Sequence, residues 1–165
     1  MSGQQRFEIL TACDDAAAFI AAHVLARSPV PTLVRIDGDP LAGKSTLARA
    51  LAERLGGDAV SVDDCLDGLV RRGRTYPQMV MRQSLVARFA AARSPIVLEG
   101  IWLDAAAPVD EFGDGYRVYI RFRPAALIAQ DVAKERRQFR MVEYERSFDF
   151  EGRADIVVTR TFDPW

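Results

Sequence analysis

Five short apolar runs constrain this chain most: TLVRID (Thr32–Asp37), AVSV (Ala59–Val62), IVL (Ile96–Leu98), YRVYIRF (Tyr116–Phe122) and ADIVV (Ala154–Val158). They are largely unbroken rather than strictly alternating, which is how a strand reads when both of its faces are buried. Stretches with helical spacing separate them. A parallel sheet covered by helices on both sides satisfies that pattern. The sequence therefore predicts a three-layer α/β fold around a five-stranded, mainly parallel sheet. Its 165 residues suit one domain over 1–165, long enough to bury a core without staples.

The intervening stretches carry helix signals. Asp14–Ser28 places Phe19, Ile20, Val24 and Leu25 near one face behind an acidic start, and Pro29 and Pro31 end it. LARALAERL is a strong helix former that stops at Gly56-Gly57. An Arg-rich stretch (Arg71, Arg72, Arg74) leads to Pro77 and a helix running to about Arg93. Pro124 opens a long helical stretch with Arg136, Arg137 and Arg140 late in it.

Charge narrows the function classes. There are 22 basic and 23 acidic side chains, so no general positive field draws in nucleic acid. Lys44 and Lys134 are the only lysines, and the chain has no Asn. Cys13, Cys65 and His23 are too few and too scattered for a zinc site and fit a reduced, cytoplasmic compartment. No apolar run reaches the roughly 20 residues of a membrane span, and the opening MSGQQRFE is too polar for a signal peptide. Neither nucleic acid nor membrane is an expected partner.

Between the first run and its helix lies GDPLAGKST: Gly38, Asp39, Pro40, Leu41, Ala42, Gly43, Lys44, Ser45 and Thr46. The spacing Gly-x-x-x-x-Gly-Lys-Ser, entered from a strand and left by a helix, is a phosphate-binding pattern. Glycines let backbone N–H groups converge on phosphate oxygens, and the helix adds its positive end. Lys44 would reach the β- and γ-phosphates, and Ser45 would offer a hydroxyl to Mg²⁺. Asp39 is a carboxylate inside this loop and is expected to point away, towards solvent or a bound substrate. Asp37, Asp63 and Glu99 stand at strand ends, where parallel sheets place their reactive groups. A guanine clamp of the Asn-Lys-x-Asp type is impossible without Asn. The Asp-x-x-Gly string at Asp110–Gly113 sits in a polar loop and reads as a turn.

Three blocks, VRIDGDPLAGKST (Val34–Thr46), AVSVDDCL (Ala59–Leu66) and IVLEGIWL (Ile96–Leu103), resemble the uridine kinase and phosphoribulokinase branch of P-loop kinases in order and spacing. The closing ADIVV is similar to that family's last strand. The resemblance implies a nucleoside-kinase-like P-loop fold with an Arg-bearing lid, and ATP and Mg²⁺ as cofactors. It puts Asp63 on the acceptor hydroxyl as catalytic base, with Asp64 as a cap or supporting group. Glu99 joins Ser45 at the metal, and Arg136 and Arg140 act in the lid. The acceptor would be a small hydroxyl-bearing metabolite, nucleoside-like or sugar-like. Uridine kinases carry aromatic residues after the acidic residue, where this chain has Cys65-Leu66. RRGRTYPQMVMR (Arg71–Arg82) is the expected acceptor-side wall. Two other readings share the loop: a nucleotide-binding regulatory ATPase, and a P-loop kinase of another branch acting on a drug, cofactor precursor or activated sugar. The sequence leaves the oligomeric state open.

Overall fold

The computed structural model describes residues 5–9, 13–67 and 76–161. In chain order the strands are β1 (Gln5–Ile9), β2 (Leu33–Gly38), β3 (Asp58–Ser61), β4 (Ile96–Glu99), β5 (Tyr116–Arg123) and β6 (Ile156–Thr161). The helices are α1 (Cys13–Leu25), α2 (Lys44–Leu55), α3 (Tyr76–Met79), α4 (Arg82–Ala91), α5 (Leu103–Ala106), α6 (Val109–Phe112), α7 (Ala126–Gln138) and α8 (Met141–Phe148). All strand pairings are parallel, in the order β1-β6-β5-β2-β4-β3. The five strands read from the sequence are all present, and β1 is a sixth, paired to β6 from Gln5↔Ile156 to Ile9↔Arg160.

Two apolar clusters, one on each face, hold the sheet. Along β2, Val34 and Ile36 join Ile20 of α1 and Leu51 of α2, while Leu33 faces Leu103 and Phe112 on the other side. Strand β5 divides the same way: Tyr116, Val118, Ile120 and Phe122 face the first cluster and Tyr119 the second. This two-residue period is the pleat at work, and burial of both faces explains why the runs read as apolar throughout.

Arg35 is the exception in that apolar strand, and it is fully buried. The pleat puts it on the face of the second cluster, where its guanidinium donates to Asp104 Oδ1 (3.0 Å) and to the carbonyls of Ala107 (2.5 Å) and Gly113 (3.1 Å). Arg117 reaches the same carboxylate at 2.8 Å and Arg153 at 2.6 Å. One carboxylate therefore gathers three guanidiniums and ties α5 to the centre of the sheet.

The helix ends follow local chemistry. Gly56 takes the left-handed conformation (φ 72°), and the N–H groups of Gly56 and Gly57 close back on the carbonyls of Glu53 and Ala52. The long helical stretch expected after Pro124 is two helices: Arg140 adopts φ 53° between α7 and α8 and ends the run. The helix expected from Pro77 is likewise divided into α3 and α4. Asp110–Gly113, read as a turn, forms α6, whose Phe112 is buried, and leaves by Gly113 at φ 90°. Among the described residues no helix is long and apolar enough to cross a membrane.

Candidate active site

After β2 the chain passes through α2 to the edge strand β3 before returning to β4, and it then crosses to β5 on the other side. The order thus reverses at β2, and the crevice beyond its carboxyl end is the natural binding place in such a sheet. The Gly38–Ser45 loop lies there. Gly38 has φ 147°, and a Cβ on it would come within 2.2 Å of the Ile120 carbonyl oxygen, so the loop can leave β2 this close to β5 only with glycine. Gly43 (φ 81°) turns the chain into α2. Leu41 holds φ 63° without being glycine and is largely exposed at the tip. Pro40 and Ala42 are buried, whereas Ser45 and Thr46 lie on the exposed side of the first turn.

Not every amide of the loop is free to meet a phosphate. Gly38 N–H donates to Asp37 Oδ1 (2.7 Å), Asp39 N–H to the Ile120 carbonyl (3.0 Å) and Ala42 N–H to the Asp39 carbonyl (3.3 Å). That leaves the cradle to the later amides opening α2, whose N–H groups have no partner within the helix. Lys44 Nζ donates to the carbonyls of Gly38 (3.2 Å) and Asp39 (2.7 Å), so the ammonium already lies along the loop. Burial pushes its pKa down while Asp37, Glu99 and Asp63 pull it back up.

Of the two directions expected for the Asp39 carboxylate, solvent or a bound substrate, it does not take the first. It is buried, with one oxygen accepting the Phe122 N–H at 2.8 Å and the other pairing with Arg136. Two donors on β5 and α7 thus draw the carboxylate aside. Arg136 also donates to Glu145 Oε1 (2.7 Å), so its guanidinium is held between two carboxylates. Arg140 pairs with Glu143 of the next turn and is more than half exposed; Arg137 is exposed.

Glu99, at the end of β4, is 1% exposed. Its Oε1 accepts the Ser45 hydroxyl at 2.9 Å, Ser61 adds a second hydroxyl, and burial pushes its pKa up. Glu99 Oε2 is buried with no hydrogen-bond partner. A buried carboxylate oxygen left unpaired beside a serine hydroxyl is costly unless a cation completes it, so the donor set fits Mg²⁺. Asp63 opens the 3-10 turn after β3 and shares a cleft of about 280 Å³ with Ser45, Ser61 and Glu99. One Asp63 oxygen accepts the hydroxyl of Tyr76. Asp64 points to Arg88 (3.4 Å) on the exposed side.

The expected acceptor wall is only partly in view. Arg71, Arg72 and Arg74 lie outside the described residues. Arg82 turns away to Glu111 and the Ala106 carbonyl (2.7 Å).

Two tyrosines and an aspartate complete the site. Asp37 is fully buried and accepts the Gly38 N–H, the Leu103 N–H (2.9 Å) and the Tyr144 hydroxyl (2.5 Å). It thereby joins the loop, the turn after β4 and α8. Burial raises its pKa from 3.8 to about 6, against the pull of these donors and of Lys44. Between those two values the folded protein holds a proton that the unfolded chain has released. Stability from this group therefore falls as pH rises from about 4 to 6 and is level above. We expect urea unfolding to show a decline of roughly 3 kcal/mol over that window that is missing in Asp37→Asn. Parallel curves for the two proteins would count against it.

An all-parallel sheet whose central strand runs through a glycine loop into a helix is a three-layer α/β fold of the P-loop type. Within that fold type the chain is similar to a possible uridine kinase from Bacillus stearothermophilus, with a TM-score of 0.62 at 19% identity, over 87% of this chain and 97% of that one. A candidate fructose transport system kinase from Silicibacter matches with a TM-score of 0.46 at 16% identity, over 93% of this chain and 100% of that one. No family model and no curated protein matches the chain.

Proposed function

We propose that this chain is an ATP- and Mg²⁺-dependent phosphotransferase that moves the γ-phosphate to a hydroxyl of a small metabolite, nucleoside-like or sugar-like. The observation that carries this reading is the grouping of Ser45, Glu99 and Asp63 in one cleft at the mouth of the phosphate loop. Loop amides and Lys44 hold the phosphates, Lys44 exchanging the carbonyls of Gly38 and Asp39 for phosphate oxygens. Ser45 and Glu99 are the residues to hold Mg²⁺, which when bound neutralises charge on the phosphates. Asp63 accepts the acceptor's proton as its oxygen bonds to the γ-phosphorus and the bond to ADP breaks. Arg136, once released from Asp39 and Glu145, supplies positive charge to the transferring group. The fold of the possible uridine kinase supports this reading.

Calorimetric titration with MgATP tests it. Wild type should bind, and Lys44→Ala should lose at least about 100-fold in affinity, the worth of two charge-assisted hydrogen bonds in a buried site. Equal affinity in the two proteins would remove the loop from the mechanism. A panel of nucleosides, sugars and phosphorylated metabolites with labelled ATP then identifies the acceptor; consumption of ATP without transfer to any of them would favour the regulatory ATPase.

A further inference from the structure

Asp63 already holds a hydroxyl. The Tyr76 phenol donates to Asp63 Oδ1, and the carboxylates bearing on it are Asp63, Glu99 and Asp37, the acidic groups around the phosphate loop. Its ring is 3% exposed and stands edge-on to Phe139 of the α7–α8 corner, with centroids 5.8 Å apart. The backbone fixes this placement. Asp67 N–H donates to the Met79 carbonyl and Met81 N–H to the Cys65 carbonyl, both at 2.7 Å, with a bridge at Leu66↔Val80. Helix α3 is thereby clamped against the turn that carries Asp63.

We propose that Tyr76 stands in the acceptor's place: its hydroxyl occupies the position on Asp63 that the acceptor hydroxyl takes, and its ring fills the space for the acceptor's body. The inference rests on the role given to Asp63 above and adds a substrate class. What replaces a phenol edge-on to Phe139 is an alcohol carried on a ring rather than an open chain. In the absence of acceptor, the phenol keeps water from Asp63 and so limits wasteful hydrolysis of ATP. Transfer then requires α3 to give way to the incoming ring.

The sign of one substitution separates this role from simple support of Asp63. Tyr76→Phe keeps the ring and frees the carboxylate. Hydrolysis of MgATP without any acceptor should rise about tenfold, the worth of one ordinary hydrogen bond, with ATP affinity by calorimetry unchanged. Tyr76→Leu, which also removes the ring, should hydrolyse faster still. Adding Asp63→Asn to Tyr76→Phe should cancel the gain. If Tyr76→Phe and Tyr76→Leu hydrolyse ATP no faster than wild type while both still bind it, the proposal is overturned and Tyr76 only supports Asp63. If the Tyr76 variants gain activity that Asp63→Asn does not cancel, the role of Asp63 itself is wrong. Failure of wild type to bind MgATP would overturn the phosphotransferase reading before either question arises.

Discussion

Asp63→Asn is expected to bind MgATP as tightly as wild type and to transfer phosphate about 10²- to 10⁴-fold more slowly. The substitution is close to isosteric, and the described hydrogen bond of the Asp63 side chain goes to Tyr76, its charge reaching Lys44 only through space, so the phosphate site should be intact. What it loses is the ability to take a proton from the attacking hydroxyl. The amide can still accept a hydrogen bond from Tyr76 through its carbonyl oxygen, so the turn Asp63–Cys65 and its clamp on α3 should survive. The paired measurement is calorimetric ATP affinity and steady-state transfer with the acceptor found in the panel screen. Transfer at the wild-type rate would mean that another group accepts the proton. Parallel losses of affinity and rate would point to a structural role instead.

The second large effect is on stability. Asp104→Ala removes the carboxylate shared by Arg35, Arg117 and Arg153. Arg153 is half exposed and can turn to water, but Arg35 and Arg117 are buried. Arg35 would keep its bonds to backbone carbonyls yet lose its counter-charge, with Arg117 close enough to oppose it. Leaving a buried charge uncompensated costs about 3–5 kcal/mol. Denaturant unfolding should show a loss of that size, and a change under 1 kcal/mol would mean that water reaches the guanidiniums. The loss should also reach the site. Asp104 N–H donates to the Tyr144 hydroxyl (3.2 Å), which in turn donates to Asp37 at the base of the phosphate loop.

The sequence was informative where the relevant physics is local or periodic. Buried parallel strands are mostly apolar on both faces, so β2, β4 and β6 stand out as short runs. The glycine loop is visible because only certain residues can take its backbone shape. β1 has no such signature: QRFEI mixes polar and apolar residues, and its pairing partner lies some 150 residues away in β6. The break at Arg140 was equally hidden, since a positive φ on arginine follows from tertiary packing rather than from a local helix-stopping signal.

Within the site, the loop, Asp63 and Glu99 could be picked out because each follows a recognisable strand. Their partners could not. Tyr144 meets Asp37 across 107 positions and Tyr76 meets Asp63 across 13, and nothing in the local pattern of either tyrosine tells it from an ordinary core aromatic. Asp39 shows the same limit. Repulsion from phosphate predicted that its carboxylate would turn away, but its destination depended on Arg136, 97 residues on.

The pairing of β1 with β6 also bears on how the protein is made. During synthesis the segment Gln5–Ile9 emerges before the other strands of the sheet, and its sheet neighbour, Ile156–Thr161, follows only after all of them. β5 likewise has one open edge until β6 appears. A nascent chain can assemble β2 to β5 with α2 and α4, but it carries an unpaired strand and an open sheet edge until β6 has left the ribosome. Completion of the sheet is therefore a late, long-range event, and the interval before it is when the chain is most exposed to mispairing.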